Sequence, residues 1–133
     1  MTKDQALQKE FHDAVVSMEA VLKQEKNEFI RDSAIKRFEL CFDLSWKAIK
    51  AFAEEKGTSC TSPMGCFREA YHQGIIAYEK VWIDMVKTRN KTVHTYSEAL
   101  AEEVYGKLPE ALAAFQKLEE ALVAAMNTNK VGE

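Results

Sequence analysis

Apolar residues recur every three or four positions along nearly the whole chain, and no stretch keeps the alternation that a half-buried strand requires. The first stripe is Leu7, Phe11, Val15, Met18 and Leu22, with Lys and Glu on the opposite side. A second helix is expected from about Asp32 to Lys56, with Phe38, Cys41, Phe42, Ser45, Trp46, Ile49 and Ala53 on one face. Gly57 stops it, because glycine accepts the positive φ that follows many helix ends. In "TSPMGCFREAYHQG" Ser62 is a suitable N-cap, Pro63 suits the first helical position and Gly74 closes a short helix.

A fourth helix is expected from about Ala77 to Thr92, with Val81, Trp82, Met85 and Val86 inward. The last opens at "TYSE", where Thr95 and Glu98 have capping-box spacing. Its stripe is Leu100, Val104, Leu108, Leu112, Phe115, Leu118 and Leu122, and it keeps phase across Gly106 and Pro109. A kink or a restart within one rod follows. The tail "NTNKVGE" is expected to fray. The sum is an all-α protein: an antiparallel up-and-down four-helix bundle with one short extra helix and a kinked last helix, in a single domain over residues 1–133.

Composition narrows the chemistry. A net charge of -3 and a pI near 5.7 argue against a protein held on nucleic acid by bulk electrostatics, though a small local basic site leaves room for RNA as a transient substrate. No apolar run reaches membrane-spanning length and the N-terminus is polar, so the expected location is cytoplasmic, with no membrane partner. Cys41 falls on an apolar stripe as a small core residue. Cys60 and Cys66 have the wrong spacing for a zinc knuckle, and nothing in the sequence argues for the oxidising compartment a disulfide needs. His12 and His72 stand as surface or packing residues, and the carboxylates of "AEEVYGKLPE" and "KLEEAL" as solvated charge. There is no glycine-rich phosphate loop, no Gly-x-Ser-x-Gly elbow and no Cys-x-x-Cys. No metal and no cofactor is expected.

Chemistry crowds together only in "KTRNKTVHTY", residues 87–96. Trp82, Met85 and Val86 lie seven, four and three positions before Arg89, and Val93 lies four after it, which puts the guanidinium in the middle of an apolar stripe. A guanidinium keeps its charge, so it needs a partner there. That partner is either an internal carboxylate, with Asp43, Glu39 and Asp32 as candidates, or a bound anion such as a phosphate. His94 can turn back toward Arg89 if the helix breaks near Thr92 or Val93, and could then serve as a general acid or base. Asn90 can orient either group or simply face solvent, Lys87 and Lys91 are solvated charges that form the basic cluster nearest the histidine, and Tyr96 is a core aromatic, a hydrogen-bonding lid or a hydroxyl open to modification.

"RNKTVHTY" fits the Arg-x4-His-x-Tyr signature of the HEPN superfamily. Together with "IRDSAIKRFELCFDLSWKAIKAF" and "SPMGCFREAYHQGII" at the right spacing, the chain resembles the small subunit of minimal nucleotidyltransferase–HEPN pairs over roughly residues 25 to 120. These small subunits are also described as nucleotidyltransferase substrate-binding proteins. The resemblance implies a homodimeric four-helix bundle partnered by a small nucleotidyltransferase of the polymerase-β type. It further implies a metal-independent ribonuclease toxin in which Arg89, His94 and Asn90 are catalytic, Arg89, Lys87 and Lys91 bind phosphate, and AMP added to Tyr96 silences the enzyme. The alternative is a non-catalytic subunit that binds substrate or nucleotide for its partner. Trp82, Met85 and Val86 are expected to leave apolar surface for the dimer.

Overall fold

A computed structural model describes residues 2–77, 79–94 and 97–132. The elements are α1 (Lys3–Leu22), α2 (Glu28–Glu55), α3 (Pro63–His72), α4 (Glu79–Lys91) and α5 (Glu98–Gly132). One 3-10 turn, Thr92–His94, joins α4 to the segment that enters α5. Among the described residues there is no strand, so the chain is all-α, with four long rods and the short α3.

Local chemistry sets the helix ends. Thr2 and Gln5 form a reciprocal capping box: the Gln5 N–H donates to the Thr2 hydroxyl at 3.1 Å and the Thr2 N–H donates to the Gln5 side chain at 3.0 Å. Helix α2 starts a full turn earlier than its apolar stripe suggests, because the Asn27 side chain accepts the Ile30 N–H at 2.8 Å. Its end is a Schellman turn, with Gly57 at φ 82°, Gly57 N–H donating to Glu54 and Thr58 N–H donating to Ala53. The same turn recurs after α3, where Gly74 takes φ 76° and Ile75 N–H donates to Ala70. Ser62 caps α3 as expected, accepting the Gly65 N–H at 3.1 Å ahead of Pro63. The predicted pairing of Thr95 with Glu98 falls partly outside the described residues; the first bond of α5 is accepted by the Ser97 carbonyl.

Aromatic side chains close the core. Phe115 of α5 is fully buried and meets Phe11 of α1 and Phe38 of α2, each at 6.1 Å between ring centres, and Trp82 of α4 at 5.9 Å. Burying one such ring contributes roughly 2–3 kcal/mol. Through Phe67, α3 reaches both Phe42 of α2 and Trp82 of α4, at 5.7 and 4.7 Å. Trp82 and Met85 are therefore buried inside the protomer, while Val86 of the same group stays half-buried. Helix α5 passes through Gly106 and Pro109 without a restart. Pro109 is exposed, so the Tyr105 carbonyl it leaves unpaired faces the solvent side. The fully buried line of α5 is Ala101, Val104, Leu108, Ala111, Phe115, Leu118 and Leu122, with Leu100 and Leu112 only half-buried.

Cys60 and Cys66 are disulfide-bonded, with Sγ–Sγ 2.04 Å and Cα–Cα 5.1 Å. The sequence argument against this pair concerned compartment and metal spacing, neither of which governs geometry. Cys60 precedes the α3 cap and Cys66 sits one turn inside the helix, which brings their sulfurs together. Cys41 is buried as expected, and burial pushes its thiol up to about 12, so it is inert as a nucleophile. The acidic side chains of α5 are not merely solvated: Glu98, Glu102 and Glu103 pair with Arg31, Lys26 and Lys91, and Glu119 meets the His12 ring. Among the described residues no helix is long and apolar enough to cross a membrane.

Candidate anion site at the end of the bundle

The buried line of α4 runs through Trp82, Met85, Thr88 and continues to Thr92, so it turns slightly away from Arg89. Arg89 is consequently half-buried on the flank of the stripe, not at its centre. Its Nη1 donates to the Thr92 hydroxyl at 3.2 Å, and that hydroxyl donates to the Arg89 carbonyl at 2.8 Å. Its Nε is shielded from solvent and has no hydrogen-bond partner. Among the described residues Arg89 makes no ion pair. Of the three carboxylates considered for it, Asp32 pairs with Arg31 at 3.0 Å, Glu39 pairs with Lys36 at 3.9 Å, and Asp43 makes no ion pair among the described residues.

The helix tightens at Thr92, where the rotation that could bring His94 toward Arg89 is required. The two side chains nevertheless share no hydrogen bond, and the His94 residue is exposed, its carbonyl accepting the Ser97 N–H at 3.1 Å. Asn90 and Lys87 are also exposed. Lys91 donates to Glu103 of α5 at 2.6 Å, which holds that carboxyl below its ordinary value and makes Lys91 a clamp between helices. Tyr96 lies outside the described residues. The described residues thus leave Arg89 without an ion pair and place no hydrogen bond between its side chain and that of His94.

A second arginine escaped the sequence reasoning. Arg31, in the first turns of α2, is 6% exposed. Its Nε donates to Asp32 at 3.0 Å and its Nη1 to Glu98 at 2.6 Å, with Glu102 at 3.6 Å. Glu102 is shared with Lys26 at 2.6 Å. The bond from Arg31 holds the Glu98 carboxyl below the usual range, and that from Lys26 does the same for Glu102. The spacing that singled out Arg89 applies here too, since Ile35 and Phe38 lie four and seven positions after Arg31.

Comparisons with known proteins follow this geometry. A protein of Thermus thermophilus of known crystal structure is 31% identical, superposes with a TM-score of 0.79, and is matched over 84% of this chain and 98% of its own. A Haemophilus influenzae protein, described as having the fold of a substrate binding domain of a nucleotidyltransferase, shares the fold at a TM-score of 0.66 and 24% identity, over 90% of this chain and 96% of its own. No curated protein matches the sequence significantly. Residues 6–124 match the family described as "Nucleotidyltransferase substrate binding protein like", which extends the resemblance back through α1. That description names a binding component, and it corrects the expectation of an RNA-cleaving enzyme with Arg89, His94 and Asn90 as its catalytic set. By this match over most of its length, and with an all-helical fold consistent with the HEPN resemblance, the chain belongs to the nucleotidyltransferase substrate-binding protein family.

Proposed function

We propose that this protein is the non-catalytic, substrate-binding subunit of a two-component nucleotidyltransferase, and that Arg89 anchors an anionic group of a bound nucleotide or substrate. The observation that carries the proposal is the half-buried Arg89 guanidinium, whose shielded Nε lacks a hydrogen-bond acceptor and which forms no ion pair among the described residues. A phosphate oxygen supplies that acceptor and offsets the cost of keeping the cation partly desolvated. Lys87, exposed two positions earlier on α4, adds long-range attraction for the same anion, as does Lys91 to the extent that Glu103 leaves its charge uncompensated.

In the same reading two copies associate with a polymerase-β-type partner. Phe29, 79% exposed at the start of α2, and Val93, 64% exposed in the 3-10 turn, support a contact surface at this end of the bundle. AMP transfer to the Tyr96 hydroxyl by that partner belongs to the same reading, the adduct carrying a phosphate of the kind Arg89 would bind. The test is calorimetric titration of ATP into the co-purified pair and into this subunit alone. The pair is expected to bind, and Arg89→Ala is expected to weaken binding at least about tenfold, the effect of removing a charge-assisted hydrogen bond. Equal affinity in wild type and variant overturns the role of Arg89, and failure to co-purify with the partner overturns the subunit assignment.

A further inference from the structure

Helices α4 and α5 run antiparallel and are clamped near their connection by Lys91 and Glu103, 2.6 Å apart. Away from that clamp the seam between them is open. It starts as a small cavity of about 50 Å³ beside Thr88 and Lys107 and widens to one of about 570 Å³, the two sharing Val81, Asp84 and Glu110. The larger volume lies in the range of small-molecule sites, roughly 300–1,000 Å³. Its depth follows from sequence: α5 offers Ala113 and Ala114 where a closed bundle would place larger side chains. Ile75, Val81 and Ala114, all half-buried, form its apolar walls, backed by the buried Trp82, Leu118 and Ile76, and the Schellman turn at Gly74 leads into Ile75 and Ile76 at the wide end.

The rim is charged and uncompensated. Lys80 and Asp84 stand on α4, Glu110 and Lys117 on α5, and none of them makes an ion pair among the described residues. By contrast Lys26, Arg31 and Lys91, at the other end of the same two helices, all pair with α5 carboxylates. An apolar trough with free cations at its wide end and free carboxylates farther in suits a ligand with matching parts. We propose that the trough binds a cyclic or aromatic small molecule carrying an anionic group, with that group between Lys80 and Lys117, its apolar body over Ile75, Val81 and Ala114, and an amine or hydroxyl facing Asp84 and Glu110. Identifying this ligand as the acceptor of the nucleotidyl group rests on the substrate-binding proposal; the site itself does not. An acceptor needs a nucleophilic oxygen or nitrogen, and the carboxylates are placed to hold one by its proton.

The probe is anilinonaphthalene sulfonate, an aromatic anion that fluoresces on leaving water, with uncharged phenylnaphthylamine as its control. The full chain is expected to bind the sulfonate saturably, one per chain. Lys80→Glu combined with Lys117→Glu should weaken the sulfonate roughly tenfold and leave the uncharged control unchanged. Ala114→Trp should abolish binding of both. Circular dichroism melts check folding, and Ala113→Trp, at an exposed lip of the trough, repeats the blockade if Ala114→Trp folds poorly. Unsaturable binding, or equal affinity across these variants, overturns the site. Dissociation of a dimer by the tryptophan variants in sedimentation would overturn it as well, by showing that a second copy fills the seam. Loss of the trough with Arg89-dependent ATP binding intact removes the acceptor seat and leaves the subunit assignment standing.

Discussion

Arg31 and Arg89 enter the apolar sides of their helices at the same end of the bundle, with the same sequence spacing, and find different surroundings. Arg31 is enclosed and meets Asp32, Glu98 and Glu102, which compensate its charge. Among the described residues, the Arg89 side chain meets the Thr92 hydroxyl and keeps a shielded N–H without an acceptor. A buried cation paired with carboxylates serves the fold by tying α2 to α5, whereas the proposed binding role of Arg89 rests on its having none among the described residues. Periodicity finds both residues. The carboxylates that the neighbouring helix delivers are what distinguish them.

The largest expected effect tests that separation directly. Replacing each arginine with methionine should produce opposite outcomes in two measurements. Arg31→Met should lower the thermal midpoint clearly and leave ATP titration of the complex unchanged. Arg89→Met should leave the midpoint nearly unchanged and weaken ATP binding about tenfold or more. Supplying Arg89 with its own carboxylate by Val93→Glu, one turn on, should turn it into a second Arg31 and weaken ATP binding in the same direction. If both arginines respond alike in both measurements, the comparison fails.

Much of this was legible beforehand. The apolar stripes located all five helices, and Ser62, Pro63, Gly57 and Gly74 marked the ends of α2 and α3 because caps and positive-φ turns act within a few residues. What the sequence hid is relational. Glu98 lies far from Arg31 in sequence, and no periodicity announces that α5 delivers it there. The same is true of Arg89, one of whose candidates, Asp32, is taken by Arg31, its neighbour in sequence. The α4 stripe misled by a fraction of a turn, since Thr88 and Thr92 are as compatible with burial as Arg89 is with its flank. The Cys60–Cys66 bond was missed because reasoning from compartment replaced reasoning from a helical turn.

That bond is the next test. It staples the α2–α3 loop at the end of the bundle remote from the Arg31 cluster, so its loss should not alter ATP binding. Cys60→Ser with Cys66→Ser should reduce stability in urea by about 2 kcal/mol, the entropy of closing so short a loop. A larger loss, accompanied by loss of binding, would mean that α3 positions the anion site.

Acid gives the smallest effect and sharpens the contrast furthest. Because Glu98 and Glu102 are held below the ordinary value of 4.5 in the folded chain, their contribution is complete above that value and disappears as pH falls below it. Asp4, buried near Glu55, has the opposite sign: its carboxyl is raised, so it favours the folded state more at low pH than at high pH. Thermal midpoints between about pH 6 and pH 3 should fall for wild type and fall less steeply for Arg31→Met, whereas Arg89→Met should follow wild type. Parallel curves for all three proteins would show that the Arg31 cluster contributes nothing measurable.

Phe115 has a consequence for how the molecule comes into being. Its ring joins Phe11 near the start of the chain, Phe38 in the second helix and Trp82 in the fourth, yet it resides in the last helix. On a ribosome the first two helices can pair as a hairpin early, but their common seam stays uncapped until α5 has emerged. The order of synthesis therefore leaves the aromatic centre wet for most of translation, and folding is completed by the segment made last.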